Sequence, residues 1–567
     1  MPTTTIPLVF QPTQRGPLIT SSSPPTKDAR MVRCFNTIFP NKVTRQNALY
    51  CEKMPGWATS TTPGGSNNGS AFFFSPALSP LAAFGSSTST IYDNGSSVGS
   101  VSSGVVSHFS AGSLSGDENI FFSTNTGKGW YYPRSSGNST TAYTADGNNS
   151  TTITNIKISG VNSTAGLYPG QKISAASNIV AGTRIVSVNS GAFTAVLDTA
   201  TTGGLFTALS ITKEKIALMN DTDFTAMTLF GGFVEMDGYV FAAVAQSGSP
   251  KICHSDLNSA SAFDPLSVIQ PNHYDIPACV AKYRNHIVYF GNNSVQFFTN
   301  NGNPSGSVLS QADHLSIIGL GSVGGAASGV SSHCLLGGTL YWLGVSEGVV
   351  SGVYRLNGFA PERISNDSVT RQLAAVIAAL SSTEIIAFDP FSFFGNDFLY
   401  VAVGDIGYIY HVQTEEWYEA GFFSGGMRIA GNTSSSANPA LYGVRMTGTT
   451  GKVYSLSESG LVYTDDTAAY TMTLQTEPYV LNDGKGFVIN SVELLADTQA
   501  SGSTAFYTTA DDYANWVTQP SFDMTLTTKE VHRLGLYRNH VAFKLEHSAN
   551  TAWRAQALKV RWEPCST

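Results

Sequence analysis

A short apolar strand, a tight glycine-containing turn and a returning apolar strand recur along this sequence. Three consecutive copies are HIVYFGNNSVQFFTNNG (His286–Gly302), TLYWLGVSEGVVSGVYRLNGFAPERI (Thr339–Ile364) and DFLYVAVGDIGYIYHVQTEEWYEA (Asp397–Ala420). GGFVEMDGYVFAAVAQSGSPKICHSD (Gly231–Asp256) precedes them and PALYGVRMTGTTGKVYSLSESG (Pro439–Gly460) follows. Each reads as a hairpin. Strand starts near Tyr239, Ile287, Leu340, Phe398 and Leu441 lie roughly 45–60 residues apart, the range of the larger propeller-blade repeats. One such unit cannot bury its own apolar face and must stack on neighbours. The spacing predicts a β-propeller; a plain tandem of hairpins in a sandwich is the alternative that the same pattern allows.

The chain has 567 residues, too many for one compact core. Apolar residues make up 42%, enough to fold, whereas charged residues are only 12%, about half the usual share. With 55 glycines and long Ser/Thr/Asn stretches, this is an all-β composition with a hydroxyl-rich surface. The formal net charge is −8. Counterion-release binding to DNA needs a basic stripe, and no Lys/Arg cluster occurs, so tight nucleic-acid binding is disfavoured. An acidic wall that DNA slides past is compatible with the charge.

Read in order, residues 1–30 form a Pro/Thr/Ser-rich arm expected to stay extended until it meets a neighbour. Residues 31–147 are read as the first part of the propeller or its platform, with a first hairpin ending at Pro55–Gly56. Very short Val/Ile/Thr strands over 148–213 mark a small β-module inserted into a loop, where added length costs little closure entropy. Residues 214–460 supply the remaining blades. Period-two alternation over 461–567 predicts a C-terminal β-sandwich. One amphipathic helix is expected after Ser365, read as its N-cap, with Val369, Leu373, Val376, Ile377 and Leu380 on the buried face. The N-terminus lacks a basic region followed by an apolar core, so no signal peptide is read there, and no run approaches a membrane span; a soluble chain made in the cytosol is expected.

Catalytic patterns are absent from the sequence. Gly325–Gly329 (GAASG) does not fit a nucleophile elbow, and there is neither a phosphate loop nor an H-E-x-x-H motif. GLGSVGG (Gly319–Gly325) has no lysine and opens no helical pattern, and reads as a loop between blades. His532 and His540 sit eight apart but on strand texture that gives them no common site. Glu415 and Glu416 beside Trp417 are adjacent on a strand, so they point to opposite faces and cannot flank one glycosidic bond. Six cysteines (Cys34, Cys51, Cys253, Cys279, Cys334, Cys565) show no C-x-x-C spacing and read as buried thiols. Neither an enzyme, a cofactor nor a metal site is expected.

The order YRNHIVYFGNNSVQFFTNNG (Tyr283–Gly302), a Gly/Ala/Ser-rich connector (Ile318–Val330), LYWLG with VYRLNGFAPERIS, and a short helix carries a resemblance. It is similar to the tail-hub or nozzle proteins of short-tailed bacteriophages, the packaged-DNA stabilisation family. QTEEW and the terminal YRNHVAFKL fit the same pattern, while the inserted module departs from it. The resemblance implies a virion protein assembled as a ring, a hexamer in that family, with a propeller-like body. Implied partners are the portal and adaptor proteins above, a tail fibre or tailspike and a needle or plug below, and double-stranded DNA that passes without specific binding. Implied function is retention of packaged DNA and its conduction during ejection. The alternative from another class is a propeller that recognises host glycans through rings such as Trp130, Tyr131 and Tyr132; a polysaccharide-cleaving enzyme is a third reading, disfavoured by the carboxylate geometry.

Overall fold

A computed structural model describes residues 2–8, 31–35, 37–38, 51–65, 69–74, 80–85, 88–134, 142–303, 305–324, 332–379, 386–393, 395–403, 406–421, 426–432, 440–446, 451–458, 460–482, 485–511 and 513–565. It is a nearly all-β chain built from antiparallel sheets. Among the described residues, seven four-layered blades, two of them parts of larger sheets, touch through their first strands in sequence around a closed ring, so the body is a β-propeller.

Blade 1 consists of Gly69–Phe74, Pro80–Phe84, Thr90–Asp93 and Ser96–Ser100. Blade 2 consists of Val106–Leu114, Asp117–Thr124, Gly129–Pro133 and the C-terminal end of Leu205–Leu218. Blades 3 and 4 are continuous meanders over Thr228–Ile269 and Pro277–Gln311. In blade 5, Gly321–Ser322 and His333–Leu336 share the inner position, both paired to Thr339–Ser346, with Val349–Asn357 and Ala360–Arg363 outside. Blade 6 runs from Ile386–Phe393 to Glu416–Glu419. Blade 7 takes Met427–Asn432, Ala440–Arg445 and Val453–Ser457 from late in the chain, and its fourth strand, Ala58–Thr61, from early in it. That borrowed strand closes the ring. It becomes the outer strand of the last blade and ties the start of the ring to its end.

The five strand starts singled out in the sequence correspond to the second strands of blades 3 to 7. These strands have neighbours on both sides in their own sheet, and the adjoining blades cover their faces. Val240, Phe241, Ala242, Ala243 and Val244 are all fully buried, which is why they read as unbroken apolar runs rather than alternating ones.

The inserted module leaves blade 2 after its third strand and returns as its fourth. Its strands include Ala142–Asn148, Thr152–Ile158, Gln171–Ala175, Ile185–Asn189 and Thr194–Leu197 around a small core of Tyr143, Ile153, Ile156, Ile173, Ile185 and Ile211. The 14-residue strand Leu205–Leu218 pairs with Ala142–Asn148 at one end and with Gly129–Pro133 at the other, joining module to blade through one backbone.

The C-terminal sandwich uses both chain ends. One sheet orders Thr37–Ile38, Cys51–Lys53, Arg554–Pro564, Phe487–Ala496 and Lys529–Tyr537, with Thr3–Pro7 also paired to Arg554–Pro564. The other orders Met31–Phe35, Met472–Thr476, Ala542–His547, Ser503–Thr509 and Val517–Asp523, and continues into blade 6. One expectation is corrected here. The arm does not wait for a neighbour over Thr3–Pro7: Ile6 and Leu8 are fully buried in the chain's own sandwich, because an edge strand gains a ladder of backbone bonds with Ala557–Arg561. The rest of the arm, 9–30, lies outside the described residues. Met31–Phe35 and Cys51–Lys53 lie in the sandwich, so of residues 31–147 the propeller takes the part after them.

The helix spans Asp367–Ala379 with Val369 and Leu373 buried. Its cap is Asn366, whose Oδ1 accepts the Val369 N–H at 2.9 Å, and not Ser365. Ser365 Oγ instead accepts the Val353 N–H of blade 5 at 2.9 Å and hydrogen-bonds Thr370 Oγ1 at 2.8 Å, bonds that fix the helix to the blade.

Candidate functional site

First strands from all seven blades line a central cavity of about 820 Å³. Phenylalanines dominate the wall: Phe72 and Phe73 from blade 1, Phe109 from blade 2, Phe233 from blade 3, Phe388 and Phe391 from blade 6. Two polar clusters tie blades together at this cavity. Asp389 of blade 6 accepts hydrogen bonds from Arg428 Nε at 3.1–3.2 Å and from Arg428 Nη2 at 3.0 Å, and from the Ile429 N–H at 2.8 Å. Arg428 Nη1 reaches across to the Ser107 carbonyl of blade 2 at 3.2 Å. With side chains only 12% and 8% exposed, this is a desolvated bidentate pair. Its merit is that both charges are saturated; removal of either partner leaves a buried charge behind.

Histidines form the second polar element. His333 of blade 5 shares a 3.3 Å hydrogen bond with the Cys279 thiol of blade 4 and stacks on Phe290 with ring centroids 5.7 Å apart. His108 of blade 2 faces it with ring centroids 6.3 Å apart. Gly232 of blade 3 makes this possible, since a Cβ there would lie 1.9 Å from His108 Cδ2. Enclosure by the blades holds His108 down to about 3, helped by the nearby His333 and Arg428, and holds His333 down to about 4. Both rings are therefore neutral at pH 7. Cysteine nucleophiles need a thiolate stabilised by a cation. A neutral His333 supplies none, and Cys279 is fully buried and does not line the cavity. The pair is built for packing.

Of these residues the sequence had singled out only Cys279, as a buried thiol; it did not single out Asp389, Arg428, His108 or His333. A signal was present: Asp389 in IAFDPFSF and Arg428 in MRIAGN are lone charges in otherwise uncharged inner strands of consecutive repeats.

The other residues that the sequence did single out fall elsewhere. Trp130, Tyr131 and Tyr132 are 0%, 2% and 6% exposed in blade 2, so they are core and cannot stack on a glycan. Tyr131 Oη donates to the Pro169 carbonyl at 2.6 Å, and Arg184 of the inserted module lies over the Trp130 ring at 4.8 Å, fastening the module to its blade. Glu416 is buried and accepts from Tyr418 Oη at 2.7 Å, whereas Glu415 sits in the preceding turn and pairs with Arg355 at 2.9 Å. Glu415, at φ 57°, is not on the strand that begins at Glu416, so the expected strand alternation is replaced by a turn that gives the two carboxylates different partners. Cys51, Cys253, Cys279 and Cys334 are buried free thiols and Cys565 is half-buried. The side chain of Cys34 and the segment Gly325–Gly329 lie outside the described residues. Among the described residues no group of three or more His, Cys, Asp or Glu could hold a metal ion, and no helix is long and apolar enough to cross a membrane.

Comparison with known proteins adds the following. A family model, Phage_stabilise, described as Bacteriophage P22 Gp10, beta-propeller, matches residues 151–420. On the structure this stretch runs from the inserted module through the end of blade 6. No curated protein matches. Among solved structures, an exo-β-1,3-galactanase from Phanerochaete chrysosporium is 10% identical over 90% of this chain and 100% of its own, with a TM-score of 0.25. Bombyx mori GH32 β-fructofuranosidase BmSUC1 is 8% identical over 89% of this chain and 94% of its own, with a TM-score of 0.22. At these scores neither carries an argument about fold or activity. The chain is a β-propeller protein similar, over residues 151–420, to a phage tail-associated family.

Proposed function

We propose that this chain is a structural virion protein: copies form a ring that serves as the tail nozzle or hub below the portal and adaptor, retains packaged DNA and conducts it during ejection. The match of a phage propeller family to the inserted module and blades 3 to 6 carries this reading. Charge supports it. Six copies at −8 each bring −48 to a ring, so a lumen carrying that charge repels phosphate rather than gripping it. Surface chemistry supports it too. Tyr274, Ile276, Ile318 and Val349 are 57–63% exposed on segments hydrogen-bonded around the Asn292–Asn293 turn, an apolar face that a neighbouring copy would cover with little ion desolvation.

DNA would pass between copies and not through one propeller. The single-chain cavity holds about 820 Å³ and is crowded by phenylalanines, less than a cube about 12 Å on a side, the width of one major groove of a B-form duplex. On this reading the portal, adaptor, needle and fibre proteins contact the ring from outside, and no bond-breaking chemistry is assigned to the chain.

Mass measurement with negative-stain imaging tests the proposal. Rings with an axial hole, formed alone or on addition of the head-to-tail connector, are expected, with no retention of double-stranded DNA at physiological salt. A chain that stays monomeric beside its connector proteins would overturn the assignment.

A further inference from the structure

We propose that the groove between blades 7 and 1 binds a neutral hexopyranose unit of a glycan. The ring-closing strand Ala58–Thr61 and these two blades enclose a cavity of about 210 Å³ there. Its floor is apolar, with Ala82 and Val453 buried. Two half-buried rings, Tyr92 and Tyr442, form the walls, and Tyr92 is held edge-on against Phe84 with centroids 5.9 Å apart and planes at 69°. Ser60, Thr61 and Asn94 form an exposed rim.

Two features select the ligand class. First, no Asp, Glu, Lys, Arg or His lines the cavity. A phosphate, a sugar carboxylate or a cation would enter without a counter-charge, at a desolvation cost that nothing there offsets. Second, the Ser60, Thr61 and Tyr92 hydroxyls and the Asn94 amide, the last on a turn held by the Asn94 N–H donating to the Pro80 carbonyl at 3.0 Å, make no side-chain hydrogen bond among the described residues. Unpaired neutral donors and acceptors around an apolar floor and an aromatic wall match a pyranose, which has a C–H face and a hydroxyl edge. The site is separate from the central channel, and the inference stands whether or not the chain forms a tail ring.

Saturation-transfer NMR on the purified full chain tests it, with the methyl glycosides of glucose, galactose and mannose as probes. At least one is expected to take up saturation mainly through the protons of one ring face. Tyr92→Ala should weaken that binding about tenfold and Asn94→Ala about three- to tenfold. Tyr92→Phe keeps the ring and the fold, and should stay within a few-fold of the native chain. Glucose 6-phosphate and N-acetylneuraminic acid should show no transfer that depends on Tyr92. Comparing the responding monosaccharide with its immobilised polysaccharide separates a free sugar, bound equally, from a surface glycan, bound more tightly through many units; either supports the class. Absence of transfer from all three glycosides up to about 10 mM, or transfer unchanged in Tyr92→Ala, overturns the proposal.

Discussion

The propeller and the sandwich are made of the same antiparallel pairs, yet they are held together differently. In blades 3 and 4 every strand pairs with its neighbour in sequence, so each blade is a local unit. In the sandwich, Trp562 Nε1 donates to Thr4 Oγ1 across 558 positions, and the Cys51 thiol reaches the Ala555 carbonyl across 504. The two regions also share a fastener. Cys51–Lys53 lies in the sandwich and Ala58–Thr61, separated from it by only four residues, completes blade 7. A short N-terminal stretch thus closes the ring and ties it to the sandwich. Local units form early, whereas such closures bear the loop entropy of nearly the whole chain and form late.

The comparison can be broken first at the channel. Arg428→Ala leaves Asp389 buried without its cation, and a loss of about 3–5 kcal/mol is expected. It should be confined to the propeller, and chemical denaturation followed by hydrogen exchange in the first strands of blades 2, 6 and 7 measures it. The double variant Arg428→Ala with Asp389→Ala should lose less than Arg428→Ala alone, because the stranded charge is gone.

A somewhat smaller effect is expected from the sandwich side. Ile6→Ala removes a fully buried side chain from a strand that pairs with Arg554–Pro564, at a cost of about 2–5 kcal/mol. Exchange protection should fall in Arg554–Pro564 and Phe487–Ala496 and persist in blades 3 and 4. A uniform loss across both regions would mean that ring and sandwich unfold as one unit, and would remove the distinction drawn above.

Acid gives the most graded effect, and the smallest when counted for one histidine over one pH unit. His108 and His333 in the channel and His547 in the sandwich all have their folded values lowered, to about 3, 4 and 4, from 6.5. Above pH 6.5 they are neutral in both states and cost nothing. As pH falls from 6.5 towards 4 the unfolded chain binds protons that the folded chain refuses, so stability drops. The loss approaches about 1.4 kcal/mol per pH unit for each histidine. Thermal melts across this window should show His108→Gln flattening the slope by about one proton; an unchanged slope would assign the acid sensitivity to the other buried histidines, His333 and His547 among them.

Much of the body was legible because blade second strands are covered on both faces and leave unbroken apolar runs, as in YVFAAV and LYWLGV. Blade 1 was hidden: TIYD and SSVGS are too short and hydroxyl-rich to stand out from loops. The inserted module announced itself by a change of texture. Its anchorage did not, since Arg184 over Trp130 joins residues with no sequence relation. Trp130–Tyr132 shows the limit most plainly. An aromatic triplet is the same three letters whether it packs a blade or greets a sugar, and only burial separates the two.

By itself, then, the sequence determined the all-β class, the repeating hairpin, the low-charge surface and the presence of a module, because these are set by residue type and short-range spacing. Tertiary structure alone decided that the ring has seven blades among the described residues, that an early strand completes the last one, that both chain ends build the sandwich, and that Arg428 joins Asp389 of the adjoining blade to the Ser107 carbonyl of blade 2. Those are pairings between segments that the chain separates by tens to hundreds of residues, and local propensity is the same whichever partner a strand finally meets.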